Sequence, residues 1–222
     1  EKLAELYDFK RPREDGLTTV DACQAILDGK VRAFISLGGN FLRAVPEREM
    51  MEKGWQRLRL SVQIATKLNR SHVVPAEITY LLPSLGRIEI DRQASGPQAV
   101  SVEDSTACIH GSRGQREPVS ALALSEPASI AGMAKATLTP NPEVDWDAWV
   151  GDYNRVRDAI ERTYPDQFKD FNKRMFKPGG FALPLAARKR VWKTKTGKAN
   201  FTVPKHLSGN EPPNGAFQLI TL

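Results

Sequence analysis

Apolar positions along the chain fall in short runs separated by turn residues, and their spacing alternates between helical and strand-like. Val20, Cys23, Ala25, Ile26 and Leu27 recur at helical spacing over residues 20–27; Thr18 and Thr19 can cap this segment and Gly29 ends it. Residues 31–36 then form a short apolar run with the features of a buried strand, which breaks into Gly38-Gly39-Asn40. Met50, Met51, Trp55 and Leu58 return to helical spacing, with Pro46 placed where a first helical turn accepts it. Further strands are predicted at residues 60–65 and 78–82. This succession predicts an α/β fold, a Rossmann-like doubly wound parallel sheet with flanking helices.

From Pro83 to Pro118 the pattern dissolves into a long stretch rich in Gly, Ser, Asp and Arg, with brief β-like pieces around Ile88 and Val100. Loops of that length in compact domains are usually functional or disordered. Ser125 then caps a helix with Glu126 in its first turn, and Ile130, Met133 and Ala134 predict that it packs on the sheet. Helical segments are expected at 146–164 and 165–176, with Trp149, Tyr153, Val156 and Ile160 on one stripe. After Pro178-Gly179-Gly180, short strands are expected at 188–192, 200–203 and 217–222, with Thr196-Gly197-Lys198 as a turn between the first two. The last run stops within a strand pattern, which predicts that the sequence is a piece of a longer polypeptide.

Composition changes this picture little: 222 residues, 41% hydrophobic and 26% charged, describe a globular protein. No apolar run approaches the roughly 18 residues that span a membrane, and the first residues lack a signal peptide's apolar core. Cys23 and Cys108 belong to no Cys-x-x-Cys or Cys/His cluster, which fits reduced thiols and a cytoplasmic location. The net charge of +6 is concentrated between Lys169 and Lys205. Without interleaved stacking aromatics in a recognisable motif, that charge reads as a solvated basic face or a contact with an anionic partner, and nucleic-acid binding is disfavoured.

The candidate chemistry begins at the first strand end. Gly38 and Gly39 can adopt positive φ and let the main chain approach a phosphate, and Asn40 adds a side-chain donor and acceptor. Ligands of open α/β sheets sit at such strand ends, although a strand followed by Gly-Gly is also an ordinary tight turn. His72 and His206 are isolated, and no Ser/His/Asp constellation supports a hydrolase. Glu103 and Asp104 are adjacent, so on a strand they would point to opposite faces and form no acid/base pair. Thr196-Gly197-Lys198 lacks the preceding glycine pattern of a P-loop.

Four consecutive segments carry a resemblance that covers nearly the whole chain: the strand into LGGNF, the stretch from HVVPAEITYLLPSLGR to HGSRGQREP, LSEPASIAGMAKATL, and KTKTGKANFTV. Together they resemble molybdopterin-dependent oxidoreductases, with the formate-dehydrogenase-alpha-like branch nearest. The resemblance implies an internal portion of a large catalytic subunit that holds a molybdenum bis-molybdopterin guanine dinucleotide. It implies a Rossmann-like cofactor-binding region over residues 1–140, itself incomplete, then a helical segment over 141–186. Residues 187–222 would be the first strands of a truncated β-barrel domain.

By the same resemblance, Gly38, Gly39 and Asn40 meet the cofactor's nucleotide or pyrophosphate, with Thr66 and Lys67 at the next strand end. Glu126 accepts from the guanine. Asp104 and His110 fall at cofactor-contacting positions, though many relatives have Asn where His110 stands and some have Lys or His where Asp104 stands. Roughly twenty residues are also inserted between Pro83 and Glu103 relative to the family pattern. Arg113 is a candidate partner for pterin or phosphate. The molybdenum ligand lies upstream, so no catalytic or metal-ligating residue is assigned here, and any iron–sulfur cluster falls outside this chain. The expected partners are the cofactor and a small-molecule substrate of the whole protein. The alternative is a non-catalytic module that binds a purine nucleotide or another anion through the same glycine turn.

Overall fold

A computed structural model describes residues 1–201 and 214–217. The chain divides into two compact units, Glu1–Leu183 and Pro184–Leu222.

The first unit opens with a short helix α1 (Lys2–Leu6) and then α2 (Thr19–Leu27), where the Thr18 hydroxyl accepts from the Asp21 N–H at 3.2 Å, the expected cap. Strand β1 (Ala33–Leu37) follows, then α3 (Phe41–Ala44) and α4 (Arg48–Trp55). Pro46 precedes α4 without joining its first turn, because Glu47 caps that helix at a left-handed φ of 53°. Strand β2 (Leu60–Ala65), α5 (Arg70–Val73) and β3 (Ile78–Pro83) complete the region. The three strands are parallel and neighbour one another in chain order, with Phe34 beside Ser61 and Ser61 beside Thr79. The α/β architecture with a parallel sheet is therefore as expected, and the strands run in one direction from β1 to β3.

Helices cover one face of this sheet. Ile26, Leu42, Met51, Trp55 and Leu58 form a buried cluster against which Phe34 and Phe41 pack. The Phe34 ring lies 4.7 Å from that of Trp55 and 4.9 Å from that of Phe41. Cys23 is partly buried against the same cluster, as a small apolar side chain.

The stretch read as a loop is folded. Strands β4 (Arg92–Gln93) and β5 (Gly96–Pro97) form a small antiparallel pair, and β6 (Val100–Glu103) pairs antiparallel with β7 (Cys108–Ser112). Gly114 explains one close crossing: a Cβ there would lie 1.8 Å from the Glu89 carbonyl oxygen, where the Ile88 and Arg116 segments run together. Helix α6 (Glu126–Thr137) begins at Ser125, whose hydroxyl accepts from the Ala128 N–H at 3.3 Å. Its buried side chains are Ser129, Ala131 and Ala134, while Ile130 is exposed. The helix packs beside α7 (Trp146–Gly151) rather than presenting the expected Ile130 stripe to the sheet.

The 146–164 helix is interrupted at Asp152, which caps α8 (Tyr153–Thr163) by accepting from the Asn154 N–H. The next segment is likewise split into α9 (Pro165–Phe168) and α10 (Phe171–Arg174). Strand β8 (Phe181–Ala182) then joins β7. Gly180 permits that junction: its φ is +61°, and a Cβ would lie 1.9 Å from the Ile109 carbonyl oxygen. Phe171, Met175 and Phe181 bury a second core with Ile109.

In the second unit the strand expected at 188–192 is replaced by a 3₁₀ turn, Ala186–Lys189, closed by Arg190 at a φ of 52°. Alternating hydropathy there has no neighbouring strand to pair with among the described residues. Gly197, at φ +66°, makes the expected turn, and its N–H donates to the Thr194 carbonyl. Most of the strands expected at 200–203 and 217–222 lies outside the described residues, and no closed barrel occurs among those described. No described helix is long and apolar enough to cross a membrane.

Candidate functional site

The carboxyl ends of the three parallel strands bring together segments distant in sequence. After β1, Gly38 and Gly39 take φ values of +68° and +76°, and a Cβ on either would point into open space. The Gly38 N–H donates to the Ile64 carbonyl at 2.8 Å, so it belongs to the sheet. The N–H groups of Gly39 and Asn40 have no acceptor among the described residues. A strand end carrying two uncommitted N–H groups can receive an anionic oxygen.

The turn after β2 is wired to this one. Asn69 caps α5: its side-chain oxygen accepts from the Ser71 N–H, and its own N–H donates to His72 Nδ1 at 2.9 Å. The Asn69 amide nitrogen donates to the Gly39 carbonyl at 2.7 Å. Ser71 Oγ accepts from the Leu42 N–H and donates to Asn40 Oδ1. Because Nδ1 of His72 is an acceptor, its neutral ring carries the proton on Nε2. That atom is buried with no partner among the described residues, and burial holds the His72 pKa below its usual value. Sequence reasoning left His72 isolated and passed over Asn69 and Ser71; the Asn-x-x-His spacing of a capping box was the available signal.

Thr66 borders two cavities. The larger, of about 540 Å³, is lined by Thr66, Arg87, Glu89, Asp91, Glu103 and Glu126, among others, so the structure joins Thr66 and Glu126. The smaller, of about 220 Å³, is bordered by Thr66, Lys67, Gln63 and His72. Gly38, Gly39 and Asn40 border neither, and meet the β2 turn through Asn69 and Ser71.

Acidic groups dominate the larger cavity, and two of them are committed. The Glu89 carboxylate accepts from the Gly86 N–H at 2.6 Å and the Val119 N–H at 2.7 Å, which lowers its pKa. Asp91 Oδ2 accepts from the Tyr153 hydroxyl at 2.5 Å. The Tyr153 hydroxyl hydrogen is committed to that bond, so Ser125 donates to the Tyr153 oxygen across 2.7 Å. Burial first, and Asp91 second, push the Tyr153 pKa well up, and the phenol stays protonated. This relay fixes Ser125 at the start of α6 and so places Glu126 at the cavity wall.

Asp104, His110 and Arg113 are gathered on the β6–β7 hairpin and border neither cavity. One Asp104 oxygen accepts from the Thr106 hydroxyl and from the Thr106 and Cys108 N–H groups; the other meets His110 Nε2 at 2.8 Å. The Thr106 hydroxyl leads the bonds that pull the Asp104 pKa far down. These bonds tie a turn in which Ala107 adopts a φ of 58°. Arg113 stacks 4.6 Å over the Phe176 ring, and its guanidinium makes no ion pair among the described residues. No group of three or more His, Cys, Asp or Glu side chains that could hold a metal occurs among the described residues.

Fold and geometry together define an α/β unit whose parallel strands end in glycine- and asparagine-bearing turns tied to one another by side-chain hydrogen bonds. No family model matches the sequence. The chain is 47% identical over 217 residues to Protein YdeP of Escherichia coli O6:H1, across 98% of this chain and 28% of that protein. It is 47% identical over 216 residues to Protein YdeP of Shigella flexneri, across 97% of this chain and 28% of that protein. It is also 42% identical over 217 residues to an uncharacterized oxidoreductase of Mycobacterium tuberculosis (strain H37Rv), across 97% of this chain and 28% of that protein. The chain thus spans 28% of the length of these curated relatives.

Proposed function

We propose that this chain is the cofactor-holding portion of a molybdenum-dependent oxidoreductase, formate-dehydrogenase-like in its branch, and that it binds part of a molybdopterin guanine dinucleotide. The observation that carries the reading is the pair of uncommitted N–H groups at Gly39 and Asn40, tied through Asn69 to a β2 end that opens on an acid-lined cavity. The name of the mycobacterial relative supports the oxidoreductase part.

The residues fit such a ligand in complementary ways. Gly39 and Asn40 offer N–H groups to a phosphate oxygen, and Lys67 adds a positive charge at the next strand end. The larger cavity has one cation, Arg87, against Glu89, Asp91, Glu103 and Glu126, so it repels phosphate and suits a neutral heterocycle rich in N–H donors. Glu126 accepts from guanine ring N–H and amino groups there, with Thr66 as a hydroxyl partner. Asp104 and His110 act through the hairpin they brace, and Arg113 pairs with a pterin or phosphate oxygen. When bound, the molybdenum centre supplies two-electron exchange with a small substrate; the chain's own task is to bind and orient the cofactor.

Titration of the purified protein with GDP and ADP tests the binding part. Preference for GDP that is lost in Glu126→Gln supports the reading. Equal binding of both nucleotides favours the general anion-binding module instead.

A further inference from the structure

Two buried polar atoms that the strand-end wiring leaves unused belong to side chains of one cavity. Gln63 is 1% exposed and His72 6%, and Gln63 Oε1 and His72 Nε2 have no hydrogen-bond partner among the described residues. Both side chains line the smaller cavity, of about 220 Å³. Register places it in the sheet. Phe34 lies beside Ser61, which puts Ser61 and Gln63 on the helix-covered face and Ile35 and Tyr80 on the opposite one. Gln63 in turn lies beside Leu81 and Ala65 beside Pro83, so the cavity opens at the carboxyl ends of β2 and β3 on the covered side. The turn after β2 and His72 of α5 complete its wall.

The two unused atoms have opposite roles. The Asn69 N–H occupies His72 Nδ1, so Nε2 of the neutral ring presents a donor. The Gln63 amide nitrogen is taken up by Ser61 Oγ, so the carbonyl oxygen is the open acceptor. Buried polar groups are paired almost without exception, and a donor and an acceptor left open on one cavity wall mark the place of a group that supplies both partners. A carboxylate would set its lone pairs against Gln63 Oε1, and an ammonium would set its N–H groups against that of His72. A hydrocarbon would leave both atoms unpaired. An uncharged amide edge, with C=O beside N–H, meets the donor with an acceptor and the acceptor with a donor. Leu68, Leu81, Leu82 and Pro83 make the remaining wall apolar, which suits the face of a ring. At about 30 Å³ for each water, the volume holds several waters or one small ring.

We propose that this cavity binds the uncharged amide edge of a small ring, a lactam or a primary carboxamide, with His72 Nε2 donating to its carbonyl oxygen and Gln63 Oε1 accepting from its N–H. Of the residues assigned to the cofactor only Thr66 and Lys67 border the cavity, and the amide edge uses neither, so the site stands apart from that reading.

Ligand-observed saturation-transfer NMR of the native protein with 2-pyridone, a small lactam ring, tests the proposal. N-methyl-2-pyridone is the control, because it keeps the ring and the carbonyl but has no N–H to give Gln63. 2-Pyridone is expected to bind at least about tenfold more tightly than the control, as one hydrogen bond to a buried acceptor requires. Gln63→Leu should remove that preference. Equal binding of the two rings to the unaltered protein overturns the proposal whether or not the variant folds. Binding of neither ring also overturns it and leaves the cavity to water. Competition with GDP identifies the source of the edge: displacement of 2-pyridone assigns it to a nucleotide base, and an undisturbed signal assigns it to a separate small molecule.

Discussion

The covered face of the parallel sheet holds Ser61 and Gln63 almost without solvent exposure, while the opposite face holds Ile35 and Tyr80 in the open. Under the helices, the Gln63 amide nitrogen donates to Ser61 Oγ at 2.6 Å, but Gln63 Oε1 and the Trp55 indole nitrogen have no partner among the described residues. Hydropathy alone would put these faces the other way round. The difference teaches that burial in this sheet follows where the chain's own helices pack rather than side-chain hydropathy alone.

The largest effect that sharpens this comparison is on the covered face. Trp55→Ala removes a fully buried ring from the helix-covered cluster and is expected to cost about 3–5 kcal/mol in urea unfolding. A cost below about 1 kcal/mol would mean that this face is not the protein's core. Asn69→Ala removes the α5 cap and the bond to the Gly39 carbonyl, with an expected loss of about 1–2 kcal/mol. It should also weaken GDP binding if the two strand-end turns act as one site.

Gln63→Leu removes an acceptor buried with no partner among the described residues along with the bond to Ser61 Oγ, so it should be close to neutral, within about 1 kcal/mol. On the open face, Ile35→Thr should change the stability of this chain by no more than about 0.5 kcal/mol. The smallest effect is one of pH. His72 has a folded-state pKa below its unfolded value, so its contribution is full above the unfolded pKa and is lost as pH falls through the folded one. Stability should therefore decline with acid in the window below about pH 6.5, and His72→Gln should flatten that decline in pH-dependent unfolding.

Much of the parallel sheet was legible in the sequence because its signals are local. Residues 60–65 form β2 as read, and Thr18 and Ser125 cap the helices they precede. The β6–β7 hairpin was missed because its turn is built by an Asp104 side chain and a left-handed Ala107 rather than by Asn-Gly or Gly-Gly. Helix α8 was read as continuous with its predecessor because the Asp152 cap interrupts an unbroken apolar stripe. At the candidate site, Gly38, Gly39, Asn40 and Thr66 were readable as strand ends. The wiring through Asn69 and Ser71 spans about thirty residues and leaves no periodic trace. Asp104 and His110 depart from the residues usual at their positions in the family pattern, and their pairing across the hairpin emerged only from the fold.

The measurement that tests the central claim most directly is the molybdenum and guanine-nucleotide content of the native protein purified from its source cells, quantified per polypeptide after acid release. The account predicts that both are present and that both fall when Gly39→Val and Glu126→Gln are combined. A folded native protein that carries neither molybdenum nor guanine nucleotide would contradict it.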